Sequence, residues 1–342
     1  MGPAPSPDGP TRRGLIGSGI GLVASLVAGG FGLRYWNLAD KANDDLNRAF
    51  DLDEIPNRPP EGASGAMNIL VLGNDSRQDD DSGRSDTAIL MHVDAAGKSA
   101  YGVSIPRDLW VHIPEDPNAE YSGAEAKFNA AYAWGGANLT VQTLEEYTQV
   151  RVDHIVEINF NGLIEVVDAV DGVTIDVEAA DAPNYYDETG VTSIHGEHRF
   201  FSKGPMEMNG EEALDYVRQR KQWQRGDFAR MQHQQQLITG IMNSAVSLGV
   251  LSSPARLTEF IESISGAVKV DQGFDVISTG VRLINIRPKD IQFLTSPNLG
   301  SGNMNGQSVV ISDDDLAPVL YEAVRDDTVG DFLEEYPDVA KN

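Results

Sequence analysis

The sequence contains no cysteine. Disulfides, zinc-thiolate sites and thiol catalysis are therefore excluded together. The compartment stays open, because a chain of 342 residues can build a core large enough to dispense with disulfides outside the cell. Lysine is scarce as well: 8 Lys and 18 Arg stand against 32 Asp and 20 Glu, for a formal net charge of −26. Affinity for nucleic acid rests on neutralising phosphates with Lys and Arg, so a general role in polyanion binding is excluded. The Asp-heavy surface fits either solubility by self-repulsion at high salt or ordinary acidic drift. With 41% hydrophobic and 23% charged residues, the composition is that of a globular protein.

Long apolar runs are absent except at the N-terminus. Residues 1–10 are rich in Pro, Gly and Ser and read as a flexible tail. Arg12 and Arg13 then precede twenty uncharged residues, Gly14 to Leu33, closed by Arg34, Tyr35 and Trp36. Twenty residues of helix span about 30 Å, the hydrocarbon thickness of a bilayer. Segment 14–36 is predicted to be a single transmembrane anchor, with residues 1–13 as a cytoplasmic tail and the bulk of the chain outside the cell. The twin arginines also suit an export signal, and a cleaved signal peptide is disfavoured by the poor cleavage site at Gly32-Leu33-Arg34-Tyr35. Residues 37–66, with many Asp, Asn and Pro, read as a stalk or linker.

From Met67 onward, short apolar runs alternate with amphipathic stretches. Strands are predicted at Asn68–Gly73, Thr87–Val93, Ser99–Ile105, His154–Asn159 and Val173–Val177. Helical spacing covers 127–134, 139–148, 163–170, 210–220, 228–247, 254–268 and 274–286. A closing set of strand, strand and helix is expected at 291–294, 309–311 and 313–325. The alternation predicts an α/β fold, a layered α-β-α domain with a mixed central sheet. No internal repeat is visible.

Four constellations carry the chemistry. Gly73-Asn74-Asp75-Ser76-Arg77 follows a predicted buried strand, and Arg84-Ser85-Asp86-Thr87 leads into the next. Ligands of α/β sheets sit beyond the carboxyl ends of strands, so Asp75 and Asp86 can share a hard cation such as Mg²⁺, or else form an Asp–Arg ion-pair network. Asp79, Asp80 and Asp81 between them read as a solvated loop tip. Pro106 ends a strand and presents Arg107 and Asp108 at the same edge. Lys127 and Asn129 stand at a predicted helix start, where orphan N–H groups attract anions. The strongest signal is the run 218–230, where Arg218, Arg220, Lys221, Arg225 and Arg230 accompany a single acid, Asp227. In so acidic a chain that cluster is an electropositive pocket suited to pyrophosphate, unless it is a solvated helix–loop–helix corner. Trp223 and Phe228 are placed to pack under a lipid or a sugar.

The succession NILVLGNDSR, RSDT, SIPRD, KFNAAYAWGG, DHIVEINFNGLIEVVDAVDGV, YVRQRK and RGDFARMQHQQ resembles the LytR-CpsA-Psr family. It spans residues 67–247 as a catalytic domain, with 248–327 as the C-terminal part of the same domain and 328–342 as a disordered tail. The resemblance implies an extracytoplasmic phosphotransferase that moves a glycopolymer from a polyprenyl-pyrophosphate carrier to a cell-wall acceptor hydroxyl. Hydrolysis of the same lipid, or carrier binding without turnover, are the alternatives. Asp75 and Asp86 match the family's Mg²⁺-linked aspartates. Arg77, Arg84, Arg107, Arg218, Arg220 and Arg230 match positions that face the pyrophosphate, and Asp108 either activates the acceptor or orients an arginine. Lys127, Asn129, Arg225 and Gln234 are expected to complete substrate binding. His233 and Ala229 depart from the family's usual Arg and Gly, which removes one head-group contact or makes it pH-dependent. The implied partners are the lipid-linked glycan, a cell-wall acceptor and the membrane, and no nucleic acid.

Overall fold

Along strand β2 (Met67–Asn74) the side chains before Gly73 are apolar except Asn68, and the two-residue period sends successive residues to opposite faces. Leu70 and Leu72 join one buried cluster, whereas Met67, Ile69 and Val71 join another. A strand buried on both faces must be covered on both, and this one residue pattern dictates a layered architecture. The computed structural model describes residues 46–63, 65–74, 85–117, 123–195, 198–250, 254–283 and 286–341. Segment 14–36, Asp75, Arg77 and Arg84 lie outside the described residues. No helix among the described residues is long and apolar enough to cross a membrane.

The central sheet has seven strands in the order β1 (Asn47–Phe50), β12 (Val268–Asp271), β7 (His154–Ile158), β2, β3 (Ser85–Val93), β4 (Ala100–Ser104) and β13 (Ile291–Thr295). It is mixed: β1–β12, β7–β2 and β4–β13 run parallel, and the other pairs are antiparallel. Outside it lie the hairpins β5 (Trp110–Ile113) with β6 (Ala124–Lys127), β9 (Gly190–Thr192) with β10 (Phe200–Ser202), and β14 (Asn298–Met304) with β15 (Gln307–Ser312). Strands β8 (Val173–Val177) and β11 (Gly204–Met208) form a further pair.

One sheet face is covered by α1 (Phe128–Thr148), α7 (Ala317–Arg325) and α8 (Val329–Glu335). Helix α1 breaks at Gly135-Gly136, where Gly136 adopts φ +66, so the two helical stretches read from sequence meet at a kink. The other face takes α2 (Phe160–Ala169), α5 (Pro254–Ile264) and α6 (Val276–Leu283). Helices α3 (Gly210–Val217) and α4 (Asp227–Ser247) enclose a third cluster with β8 and β11 around Tyr216, Trp223 and Phe201.

Two boundaries differ from the sequence reading. Residues 46–63, expected in the stalk, belong to the fold: β1 joins the sheet, Leu46, Leu52 and Ile55 are buried, and Arg58 pairs with Glu145. Composition missed them because the strand NRAF carries a guanidinium, which here donates to the carbonyls of Asp271, Gln272 and Phe274. The expected disordered tail is also ordered, with Tyr336 and Val339 packed against the core and a 3₁₀ turn at Val339–Lys341. Helix α8 buries Val329, Phe332 and Leu333 against the sheet face, an apolar spacing hidden among Asp331, Glu334 and Glu335.

The Arg58–Glu145 pair locks the first of these segments to α1. Glu145 is 2% exposed and accepts from Arg58 Nη2 at 2.6 Å and from the Val152 amide at 2.8 Å. Glu145→Ala strands a buried guanidinium and is expected to cost about 3 kcal/mol or more in urea unfolding. Buried His92 and His233 give a second prediction. Burial pulls both imidazoles below the ordinary 6.5, against the opposing influence of Asp327 and Glu178 respectively. The unfolded chain then binds more protons below that value, so stability present above pH 6.5 is lost as the pH falls. His233→Phe keeps the packing and should flatten the fall of the urea midpoint between about pH 7 and 5; an unchanged slope removes His233 from the titration.

Candidate active site

The sheet's polarity brings the carboxyl ends of β2, β4 and β7 and the amino end of β3 to one edge, since Gly73 pairs with both Thr87 and Ile158. At that edge Asp86, on β3, meets Arg107, released from β4 by Pro106, with Oδ1 to Nη1 at 2.6 Å. Helix α4 supplies the third partner. Gly226 at its N-cap has φ +55, a turn open to glycine, which delivers the chain from the basic loop into the helix. Arg230 in its first turns is buried, with Nη1 3.3 Å from Asp86 Oδ2 and Nη2 3.1 Å from Asp227 Oδ2. Asp227 Oδ1 lies 3.5 Å from Arg107 Nε and 3.9 Å from Arg220 Nη1. Asp108 closes the network, 3.6 Å from Arg107 Nε and 2.9 Å from Lys127 Nζ.

Electrostatics hold these groups charged. Burial pushes the Asp86 carboxyl up, but Arg230, Arg107 and Arg220 together bring it below its ordinary value. Arg107 loses hydration on burial and regains more from Asp227 and Asp86, so its pKa rises. Arg107 Nε and Arg230 Nε are buried with no hydrogen-bond partner. The arginines thus keep donor capacity beyond what the three carboxylates use.

The network borders a cavity of about 340 Å³. Asp86, Arg107, Arg218, Arg220, Lys221 and Arg230 line one part of it. Most of the remaining wall is apolar, with Val71, Ile158, Leu163, Val217, Leu237 and Ile241 beside Phe160, and Asn74, Thr87, His195 and Gln234 interrupt it. Arg218 ends α3 with its guanidinium 4.3 Å above the Phe160 ring, a cation–π contact that steers it to this rim. Phe160 itself is placed by Asn159, whose side chain caps α2 at the Gly162 amide.

Of the residues selected from sequence, Asp86, Arg107, Arg218, Arg220, Arg230 and Gln234 share the cavity. Asp75, Arg77 and Arg84 lie outside the described residues. Four others, Asp108, Lys127, Asn129 and Arg225, sit apart from its lining. Lys127 and Asn129 brace the Arg107–Asp108 turn, Lys127 through Asp108 and Asn129 by its amide to the Arg107 carbonyl at 3.0 Å. Arg225 turns away to Glu178 at 2.5 Å and to Gln232. Trp223 is a core residue, 3% exposed, its indole donating to the Ala179 carbonyl. His233 is fully buried between Tyr216 and Trp223, so it makes no head-group contact. Sequence reasoning missed His195, Phe160 and the aliphatic wall. Asp227, the lone acid in the basic run, was the visible sign of an ion-pair network there.

Among the described residues, no group of three or more His, Asp or Glu side chains is arranged to hold a metal. Magnesium, however, needs only one or two protein carboxylates and takes its other ligands from water and phosphate. Each Asp86 oxygen faces one arginine and retains a second lone pair. The donor set therefore fits a magnesium ion that arrives with a phosphate, not an all-protein cage.

The chain is 31% identical over 265 residues to the polyisoprenyl-teichoic acid–peptidoglycan teichoic acid transferase TagV of Bacillus subtilis, covering 77% of this chain and 65% of that protein. It is 31% identical over 262 residues to the corresponding transferase TagU of Halalkalibacterium halodurans, covering 76% of each. The chain therefore spans just under two thirds of TagV and about three quarters of TagU. The crystal structure of B. subtilis TagV superposes with a TM-score of 0.61 at 26% identity, over 78% of this chain and 98% of that one. A family model, LytR_cpsA_psr, matches residues 35–324. A match over that much of the chain shows that the protein belongs to the LytR_cpsA_psr family.

Proposed function

We propose that this chain transfers a glycopolymer from a polyprenyl-pyrophosphate carrier to a hydroxyl of the cell wall. The observation that carries the reading is the composition of one cavity: aliphatic over most of its wall, and arginine-rich where Asp86 stands. A pyrophosphate joined to a hydrocarbon chain is the ligand class with that division. The names of TagV and TagU, teichoic acid transferases acting from a polyisoprenyl carrier to peptidoglycan, support the same chemistry.

In this mechanism the acceptor hydroxyl attacks the glycan-side phosphorus as the bond to the polyprenyl phosphate breaks, and its proton passes to the departing phosphate or to water. Phosphoryl transfer asks the protein mainly for position and charge. Arg107 and Arg230 are held rigid by Asp86 and Asp227, so they meet the developing charge without reorganising. Arg218, Arg220 and Lys221 add positive charge at the rim. Asp108, clamped by Lys127 and Arg107, positions Arg107 rather than taking a proton. A magnesium ion held by Asp86, and by Asp75, next in sequence after β2, would supply Lewis-acid stabilisation of the phosphates. The aliphatic wall holds the head-proximal part of the prenyl chain. Segment 14–36 is proposed to anchor the chain with its α/β domain outside the membrane.

The deciding experiment supplies detergent-dispersed protein with a polyprenyl-pyrophosphoryl glycan and Mg²⁺, with and without peptidoglycan. Carrier phosphate release that depends on the acceptor is expected. Release without acceptor identifies a hydrolase instead, and lipid binding without release a carrier-binding protein. Arg218→Ala should abolish turnover while leaving the unfolding midpoint within about 0.5 kcal/mol of wild type. Filling the aliphatic wall tests the tail. Ile241→Trp should weaken lipid binding by about tenfold or more, whereas a water-soluble pyrophosphate lacking the prenyl chain should bind both proteins equally.

A further inference from the structure

Helix α4 has two working faces. Gln234, Leu237, Ile238 and Ile241 recur at helical spacing and line the cavity assigned to the lipid. Gln232, Gln235, Gln236, Thr239 and Asn243 recur at the same spacing on the other side. They line a second cavity of about 550 Å³, walled opposite by Thr174, Glu178 and Phe293. A third cavity of about 490 Å³ shares Arg225 and Gln232 with the second and extends it past Phe228 and Thr295 to Asn298. The two form one groove along the helix.

Its chemistry differs from that of the lipid cavity. The one arginine shared by its two parts, Arg225, is paired with Glu178 at 2.5 Å and with Gln232. Glu178 thereby neutralises the groove's one arginine, and Asp176 and Asp313 in its lining leave it net acidic, which disfavours phosphate. Amides and hydroxyls remain. Gln236 Oε1 is buried with no hydrogen-bond partner, an unmet acceptor on the groove side. Gln235 Nε2 donates to Ser104 Oγ at 2.9 Å, tying the groove to the end of β4, three residues before Arg107. Phe228 and Phe293 are half-buried apolar plates among these polar groups. Flat apolar surface flanked by amides suits pyranose rings carrying hydroxyl and acetamido groups.

We propose that this groove binds a neutral, N-acetylated glycan strand as the acceptor, so that donor and acceptor reach the Arg107–Asp86–Arg230 network from opposite faces of α4. The assignment as acceptor rests on the transferase reading above; the glycan-binding site itself does not.

Calorimetric titration of the full chain with chitohexaose, a neutral N-acetylated probe, tests it. Binding is expected, and Thr239→Trp, which fills the groove, should weaken it about tenfold or more. Gln232→Ala should weaken it about threefold. Should the tryptophan variant fail to fold by circular dichroism, Gln232→Ala and Asn243→Ala carry the test. Wild-type protein that does not bind the probe, or folded variants that bind it as wild type does, overturn the groove. Groove-dependent binding without acceptor-dependent phosphate release refutes the transferase and keeps the glycan site. Transfer accompanied by probe binding indifferent to these substitutions refutes the groove and keeps the transferase.

Discussion

Everything at this site depends on one constraint: Asp86 and Asp227 must each hold more than one cation at close range. Arg107 and Arg230 are drawn largely out of water, which would cost several kcal/mol for each ion if it were left unpaired. The two carboxylates and the carbonyl of Asp86, which accepts from Arg230 at 3.0 Å, meet that cost. They also fix the guanidinium planes. Because Asp86 lies on β3, Arg107 follows β4 and Arg230 rises from α4, the network ties the sheet edge to the helix layer that forms the cavity. A preorganised cation cluster and a closed fold are here the same set of contacts.

That arrangement reconciles a net charge of −26 with a cation-lined cavity. Surplus acid is spread over the chain, whereas Arg218, Arg220, Lys221 and Arg230, close together in sequence, are brought to Asp86 and Arg107 by folding. Field lines in a low-dielectric cleft are set by what lines it, not by the total. Helix α4 then separates two chemistries on its two faces, an aliphatic and cationic one and an amide one.

The family-level motifs, the strand alternation and the layered α/β class were legible because each is local. Buried strands announce themselves by apolar runs, and the basic run 218–230 stands out by composition alone. What misled was local as well. Asn47–Phe50 reads as linker because its guanidinium finds carbonyls 223 to 226 residues away. Lys127 and Arg225 have the right chemistry for substrate binding, yet they pair with Asp108 and Glu178, and Asn129 bonds the Arg107 carbonyl through its backbone N–H. His233 occupies a motif position and is nonetheless enclosed by Tyr216 and Trp223.

The sequence by itself determined the charge reserves, the breaks at Gly135-Gly136 and Pro106, and which residue types were available at the sheet edge. Only the tertiary structure decided which arginines line the cavity and which are braces. Side-chain direction around a helix and across a strand depends on which face is buried, and that is settled by partners distant in the chain. The aliphatic wall shows this most plainly: Val71, Ile158, Leu214 and Ile241 come from β2, β7, α3 and α4, and no spacing along the chain foretells their meeting.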